Sequence, residues 1–165
     1  MSHILRLVYM MLPAYLSNMA PPFLRYWKGW NRPISSRWLG DHKTVVGFSA
    51  GLIVAMAVTF LQSRLDWHGG LLPSAHWPIL GLAFGFGAMG GDSVKSLLKR
   101  SRGIPPGHSW IPFDQLDFVV GALALISPWV RLPWADLVCI LAISFAGDIA
   151  INHVSYRLGI RDTKW

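Results

Sequence analysis

Long runs of residues without a charged side chain constrain this chain more than any other feature. Residues 7–24, 44–63 and 67–91 contain no aspartate, glutamate, lysine or arginine, and residues 134–156 contain only Asp136 and Asp148. A helix needs about 20 largely apolar residues to cross the hydrocarbon core of a bilayer. Each of these four runs therefore predicts a transmembrane helix. A fifth run, 118–130, is shorter and would have to begin near Asp114 to span.

The composition agrees with a membrane protein. Of the 165 residues, 53% are hydrophobic and 14% are charged, whereas soluble domains carry about 25% charged residues. The first run does not fit a signal peptide, because it is long for one and "YLSNMAPPF" lacks a clean cleavage pattern. Cys139 is the single cysteine, so no disulfide framework is expected. We therefore predict one all-α integral membrane domain over residues 1–165, with about five transmembrane helices.

The distribution of basic residues predicts the orientation of these helices. If all five runs span, loops 25–43 and 92–117 and the tail after residue 156 lie on one side and hold most of the lysines and arginines. Only Arg6, Arg64 and Arg131 lie on the other side. Cytoplasmic loops carry the excess of basic residues. We therefore predict a multi-pass protein of the cytoplasmic (inner) membrane, with the N-terminus outside, the C-terminus cytoplasmic and the site facing the cytoplasm.

The same asymmetry explains the net charge of +7 and the pI of about 10.1. Basic residues at membrane boundaries orient the helices and attract anionic headgroups. Because these residues lie between apolar runs and not on a polar scaffold, we expect the lipid bilayer as a partner and no nucleic acid.

The acidic residues are more informative than the basic ones, because acids contribute little to topology. The chain has no glutamate, and four of its aspartates fall in the two predicted cytoplasmic loops: Asp41, Asp92, Asp114 and Asp117. If the third helix continues past Gly91, Asp92, Ser96 and Lys99 share one face. Asp114 and Asp117 are three residues apart and point the same way. Converging carboxylates require a cation between them, and hard oxygen ligands suit Mg²⁺.

Two other features of the sequence each have two interpretations. The spacings Gly81-x₃-Gly85 and Gly87-x₃-Gly91 favour close helix packing, although Gly90 and Gly91 beside Asp92 could instead admit a phosphate near the backbone. Asp148 lies in the middle of the last run, where a charge is costly and should face the bundle interior. It either forms a structural hydrogen bond to another helix or belongs to the site.

Several of these segments resemble one enzyme family. "GDSVKSLLKR" followed by "PGHSWIPFDQLDF" is similar to the CDP-archaeol synthases and, more distantly, to the CDP-diacylglycerol synthases. The D-Q-x-D form at Asp114–Asp117 is that of the archaeol branch. "LPAYLSNMAP" and "LGDHKTVVGFSAG" resemble two further elements of the same family, so that the resemblance covers residues 13 to about 121. The chain is shorter between Asn31 and Gly40 than archaeal members, which leaves the lipid substrate open.

The resemblance implies a Mg²⁺-dependent cytidylyltransferase that converts CTP and a lipid phosphate, archaetidic or phosphatidic acid-like, to CDP-lipid and pyrophosphate. The implied catalytic residues are Asp92, Lys99, Asp114 and Asp117, with Mg²⁺ on the three aspartates. The implied substrate-binding residues are Asn18, Asp41, Lys43, Thr44, Ser96, Arg100 and Gln115.

Two other classes of protein are alternatives to this enzyme family. A small transporter or membrane scaffold with Asp148 as an intramembrane relay is the non-enzyme alternative, but the chain shows no internal repeat of the kind many transporters have. A CDP-alcohol phosphotransferase is disfavoured because its D-G-x₂-A-R…G-x₃-D-x₃-D pattern is absent. The sequence does not indicate the oligomeric state.

Overall fold

The computed structural model describes residues 2–24, 29–65, 70–105 and 108–159. Five helices occupy most of these ranges: α1 (His3–Phe23), α2 (Val45–Leu65), α3 (Trp77–Ser101), α4 (Phe113–Ile126) and α5 (Trp134–Arg157). A short 3₁₀ turn, Ser74–His76, precedes α3. The described residues contain one isolated β-bridge, between Pro33 and Thr44, and no strand. The all-α prediction is therefore confirmed.

The third predicted helix was wrong at its start, and its end lies beyond the apolar run. Residues 70–76 lie outside α3, which begins at Trp77 with Pro78 in its first turn. Proline is tolerated there because the first amides of a helix have no partner within it. At the other end α3 continues ten residues beyond Gly91 to Ser101, as the shared face of Asp92 and Lys99 requires. Residues 67–69 lie outside the described residues, as do Arg25, Lys28, Arg161 and Lys164.

Glycines set the close packing of α3 against its neighbours. A Cβ atom on Gly85 would lie 3.1 Å from the Cα of Leu52 in α2. A Cβ on Gly91 would lie 2.2 Å from the carbonyl oxygen of Asp117 in α4, and one on Gly121 would lie 2.1 Å from that of Gly87. The packing interpretation of these glycines is confirmed. Because the backbone of α4 lies against Gly91, the charged end of α3 is fixed beside the start of α4.

The core lies where α1, α3 and α4 meet, and α5 stands at its edge. Leu7, Met10, Leu80, Phe84 and Val119 are fully buried there. Among the described elements α5 contacts α1 and α4 but neither α2 nor α3. Two helices, α2 and α5, are long and apolar enough to be candidate membrane spans, and only 22% and 17% of their most apolar windows are buried. Their exposed apolar faces are what a lipid environment stabilises.

The other three helices do not reach this level of length and hydropathy. Helix α3 carries a charged end, and α4 has 14 residues, about 21 Å at 1.5 Å per residue. Helix α4 begins at Phe113, which matches the start near Asp114 that the sequence predicts, but it ends at Ile126 and not at residue 130.

One end of the bundle holds a polar cavity. The C-terminal ends of α1, α3 and α5, the N-terminal end of α4 and the segment just before α2 all contribute residues to it. Successive helices therefore alternate in direction, and the loops after α1 and α3 lie at the same end of the molecule.

Candidate active site

The polar cavity has a volume of about 560 Å³, within the range of small-molecule sites. It brings together nearly all the predicted site residues, from three helix ends and from the segment before α2. Its lining includes Asn18, Asp41, Lys43, Thr44, Asp92, Lys99, Asp114, Gln115 and Asp117. These residues are distant in sequence, so that their meeting at one cavity is a property of the fold.

A lysine side chain lies at the centre of the three carboxylates. Lys95 Nζ is 3.1 Å from Asp92 Oδ1 and 2.8 Å from Asp117 Oδ2. The same nitrogen is 3.2 Å from Asp114 Oδ1. Its side chain is 16% exposed. Buried charges are normally paired because removal from water is costly, and this lysine compensates three acids at once.

Two further lysines extend the cluster at its edges. Lys43 donates a hydrogen bond to Asp92 Oδ2, and Lys99 Nζ is 3.0 Å from both carboxylate oxygens of Asp114. Lys99 also donates to the backbone carbonyl of His108, which ties the loop before α4 to the end of α3. The cavity is thus lined by three ammonium groups that alternate with three carboxylates, and we call these six residues the charged cluster: Lys43, Asp92, Lys95, Lys99, Asp114 and Asp117.

Two predicted residues do not line the cavity. Ser96 is buried, and its hydroxyl donates to the carbonyl of Asp92 within α3 at 2.9 Å. Arg100 donates from Nη1 to the carbonyl of Ile104, and so holds the turn that ends α3. A helix turns about 100° per residue, which directs Arg100 away from the cavity that Lys99 faces. Their assignment to substrate stays a prediction.

Two amide side chains in the cavity present oxygen atoms without a partner. Gln115 is 1% exposed, and its Oε1 accepts no hydrogen bond from the described residues. The same holds for Oδ1 of Asn31, which sequence analysis did not single out. A buried polar atom without a partner costs about 1–3 kcal/mol, so such atoms in a cavity lining are candidates for ligand contacts.

Asp148 and Asn152 bring α5 into the site. Both line the polar cavity, and Asn152 Nδ2 donates to Asp148 Oδ2 at 2.8 Å. This hydrogen bond lies within α5, not between helices. The cavity lining places Asp148 beside the predicted site residues, and the choice between its two interpretations stays a prediction.

Lys95 was not predicted as a site residue, although its spacing from Asp92 indicates one. Lys95 follows Asp92 by three residues and therefore lies on the same face of α3. It lies in a basic stretch that was interpreted as a topology signal, so that its place on the face of Asp92 was overlooked. For Asn31 no such signal exists, because it precedes an irregular segment whose path only the fold defines.

The fold and the site together define a class of protein: a membrane-embedded enzyme with a charged cavity built from helix ends. The solved structure of an intramembrane enzyme for archaeal membrane lipid biosynthesis is similar, with a TM-score of 0.71 and 31% sequence identity over 91% of this chain and 94% of that one. The CDP-archaeol synthase of Halobacterium salinarum is 37% identical over 96% of this chain and 94% of its own length. That of Thermococcus kodakarensis is 32% identical over 93% and 92%.

The profile of the CarS-like family, CDP-archaeol synthase, matches residues 1–165. The chain therefore belongs to the CDP-archaeol synthase family, as its motifs indicated, and is a nucleotidyltransferase of membrane-lipid biosynthesis.

Proposed function

We propose that the protein transfers the cytidylyl group of CTP to a lipid phosphate and releases pyrophosphate. A phosphate oxygen of the lipid attacks the α-phosphorus of CTP, and the bond from that phosphorus to the bridging oxygen of the β-phosphate breaks. The charged cluster is the observation that carries this proposal. It places three ammonium groups and three carboxylates in one cavity at a helix-end face, where a nucleotide and a lipid headgroup can meet.

The chemistry requires charge neutralisation more than proton transfer. The attacking lipid phosphate is already an anion, so no strong general base is needed. The obstacle is repulsion between two polyanions, and phosphoryl-type transfer is accelerated chiefly by positioning and electrostatic stabilisation. Lys43 and Lys99 stand at the edges of the charged cluster, where they can neutralise the triphosphate and the leaving pyrophosphate. Lys95 is the third cation available.

The charged cluster offers the oxygen ligands that a divalent cation prefers, but Lys95 occupies the point where the ion would bind. Oxygen atoms of three aspartates face one point, and Mg²⁺ prefers such ligands. Lys95 Nζ lies at that point, within 3.2 Å of all three, and the described residues form no ready-made group of metal ligands. Asp92, Asp114 and Asp117 would therefore hold the ion once Lys95 moves aside toward phosphate. Bound there, Mg²⁺ would supply Lewis-acid polarisation of the reacting phosphate.

The remaining predicted residues divide between the two substrates. Gln115, together with Asn31, offers unsatisfied amide oxygens that can accept from the amino group of cytosine, which uracil lacks. Asp41 and Thr44 lie in the same segment as Lys43, and Thr44 Oγ1 accepts from the amide of Gly47 at 3.1 Å, fixing the start of α2. We place Asn18, on α1, at the lipid side of the cavity.

The orientation follows from the same arrangement. We propose five spans in the cytoplasmic membrane within a single domain, with the N-terminus outside and the C-terminus and the charged cluster facing the cytoplasm. Five helices that alternate in direction would place the two ends of the chain on opposite sides of the membrane. The basic residues of loops 25–43 and 92–117 would then lie on the cytoplasmic side. CTP would then reach the cavity from its cellular pool.

Pyrophosphate release by the purified protein in detergent with Mg²⁺ tests the proposal. CTP, dCTP, UTP, ATP and GTP are each offered with phosphatidic acid or with an archaetidic acid as acceptor. We expect turnover with CTP that depends on the lipid phosphate and fails with UTP. Folded protein without turnover for any pair would refute the activity and turn attention to transport. A comparison of the two acceptors names the lipid class.

A further inference from the structure

We infer that the hydrocarbon chains of the lipid phosphate lie in a groove between α1 and α5. This inference rests on the proposed function and deepens it by naming the place of the second substrate. The groove has a volume of about 350 Å³, and its walls are mostly apolar. Val8, Leu12 and Leu16 from α1 face Ile143, Gly147 and Ile151 from α5 across it.

Continuity with the polar cavity identifies the occupant. Four residues line both spaces: Asn18, Pro22, Asp148 and Asn152. A molecule that fills both must have an apolar part in the groove and an anionic part beside the charged cluster. A lipid phosphate has this division, and a nucleotide or an inorganic anion does not.

The position of α5 leaves the groove accessible from the bilayer. Helix α5 contacts only α1 and α4 among the described elements, so that no further described helix covers its outer side. Tyr15 Oη lies 2.8 Å from Ser144 Oγ and bridges the two helices partway along the groove. On the side of this bridge toward the helix C-termini, Asn18 and Asn152 form the junction with the polar cavity. A lipid can enter sideways there and keep its headgroup at the interface.

A second apolar groove, between α3 and α4, is the alternative site for the hydrocarbon chains. It is larger, about 600 Å³, and shares Lys95 and Asp117 with the polar cavity. However, the backbones of α3 and α4 touch at Gly91 and Asp117 and again at Gly87 and Gly121. The close backbone contact narrows the space between α3 and α4, and this groove shares two residues with the polar cavity, whereas the α1–α5 groove shares four.

The chain offers a matched pair of substitutions that fill one groove each. A Cβ on Gly147 would have no heavy atom within 4 Å, and the same is true of Gly90. Gly147 lines the α1–α5 groove, and Gly90 lines the α3–α4 groove. Gly147→Phe should therefore fill the first groove and Gly90→Phe the second, since the Cβ atom of neither variant would meet a neighbouring helix.

The test is photo-crosslinking in phosphatidylcholine vesicles with a phosphatidic acid that carries a diazirine in one acyl chain. Labelled peptides are mapped by mass spectrometry with excess unlabelled phosphatidic acid or phosphatidylcholine as competitor. We expect labelling of residues 8–19 and 143–155 that only phosphatidic acid suppresses. This labelling should fall at least fivefold in Gly147→Phe and persist in Gly90→Phe. Suppressible labelling of α3 and α4, or of no segment, would overturn the assignment.

Turnover separates this inference from the proposed function. Gly147→Phe should raise the KM for long-chain lipid phosphate at least tenfold and leave turnover of a short-chain lipid phosphate within twofold of the parent. Equal loss with both acceptors would overturn the groove assignment. If the parent protein shows the expected labelling but no CTP-dependent turnover, the proposed activity fails and the groove assignment stands.

Discussion

Lys95 Nζ lies 2.8 Å from Asp117 Oδ2, and the same nitrogen is within 3.2 Å of an oxygen of Asp92 and of Asp114. One ammonium group thus occupies the point on which three carboxylates converge. A protein that binds a divalent cation at this point must exchange one positive charge for another. The first prediction concerns that exchange.

Replacement of Lys95 by methionine should make the stability of the protein depend on Mg²⁺. Loss of the central cation leaves three facing carboxylates uncompensated, and breaking a buried ion pair costs about 3–5 kcal/mol. We expect a lower Tm in detergent without Mg²⁺ and a larger rise in Tm on adding it than in the parent. Lys95→Arg, which keeps the charge, is the matched control. Equal Mg²⁺ shifts in Lys95→Met and the parent would show that Lys95 and the metal do not share a site.

Asp114→Asn or Asp117→Asn should lower CTP-dependent turnover at least 100-fold while the protein still inserts into the membrane. Both side chains face the same ammonium group, and each amide would replace a negatively charged oxygen ligand. Asp136→Asn is a suitable control, because Asp136 contacts His3 away from the cavity. Pyrophosphate release at equal protein amounts measures the effect. Near-parental activity in either cavity variant would remove that residue from the catalytic assignment.

Gln115→Leu should preserve or raise the Tm of the free protein and weaken CTP binding. In the parent, no described residue donates a hydrogen bond to the buried amide oxygen of Gln115. An unpaired buried oxygen costs about 1–3 kcal/mol, and leucine removes that cost. A ligand present at 100 times its Kd stabilises a protein by about 2.7 kcal/mol, so the CTP-induced rise in Tm reports binding. Gln62→Leu is the control, since Gln62 Oε1 is also buried without a partner but does not line the cavity. An undiminished CTP shift in Gln115→Leu would exclude the amide from nucleotide binding.

Two adjacent glycines should respond differently to alanine. A Cβ on Gly91 would lie 2.2 Å from the carbonyl oxygen of Asp117, and one on Gly90 would meet no heavy atom within 4 Å. Overpacking typically costs about 1–3 kcal/mol. Gly91→Ala should therefore lower the Tm and reduce turnover, because α4 must move away from α3 and carry Asp114 and Asp117 with it. Gly90→Ala should match the parent, and equal behaviour of the two variants would contradict the close crossing.

Local spacing made part of the site predictable. Asp92 and Lys99 lie on one face because a helix has 3.6 residues per turn. The apolar runs predicted five helices, and for four of them the predicted bounds lie within a few residues of the observed ones. The start of α3 was not predictable in this way, because residues 70–76 are as uncharged as the helix that follows. Hydropathy does not distinguish an apolar loop with prolines from the first turns of a span.

Contacts between distant elements were not predictable from spacing. That Lys95 faces Asp114 and Asp117 depends on the crossing of α3 and α4 at glycine. The burial of Gln115 and the position of Asn31 depend on how distant segments meet at the polar cavity. The direction of Arg100 was also missed, since a basic residue beside Lys99 was grouped with it although one residue turns the helix by about 100°.

The sharing of one cavity by α1 and α5 has a consequence for biogenesis. Helices enter the membrane in order during synthesis, and residues 148 and 152 of the last helix line the same cavity as residue 18 of the first. With five spans, a nascent chain that has inserted four helices would lack the wall of the cavity that α5 forms. The cavity would then be complete only once α5 has inserted and packed against α1, so that a truncated product would have the charged cluster but no complete cavity.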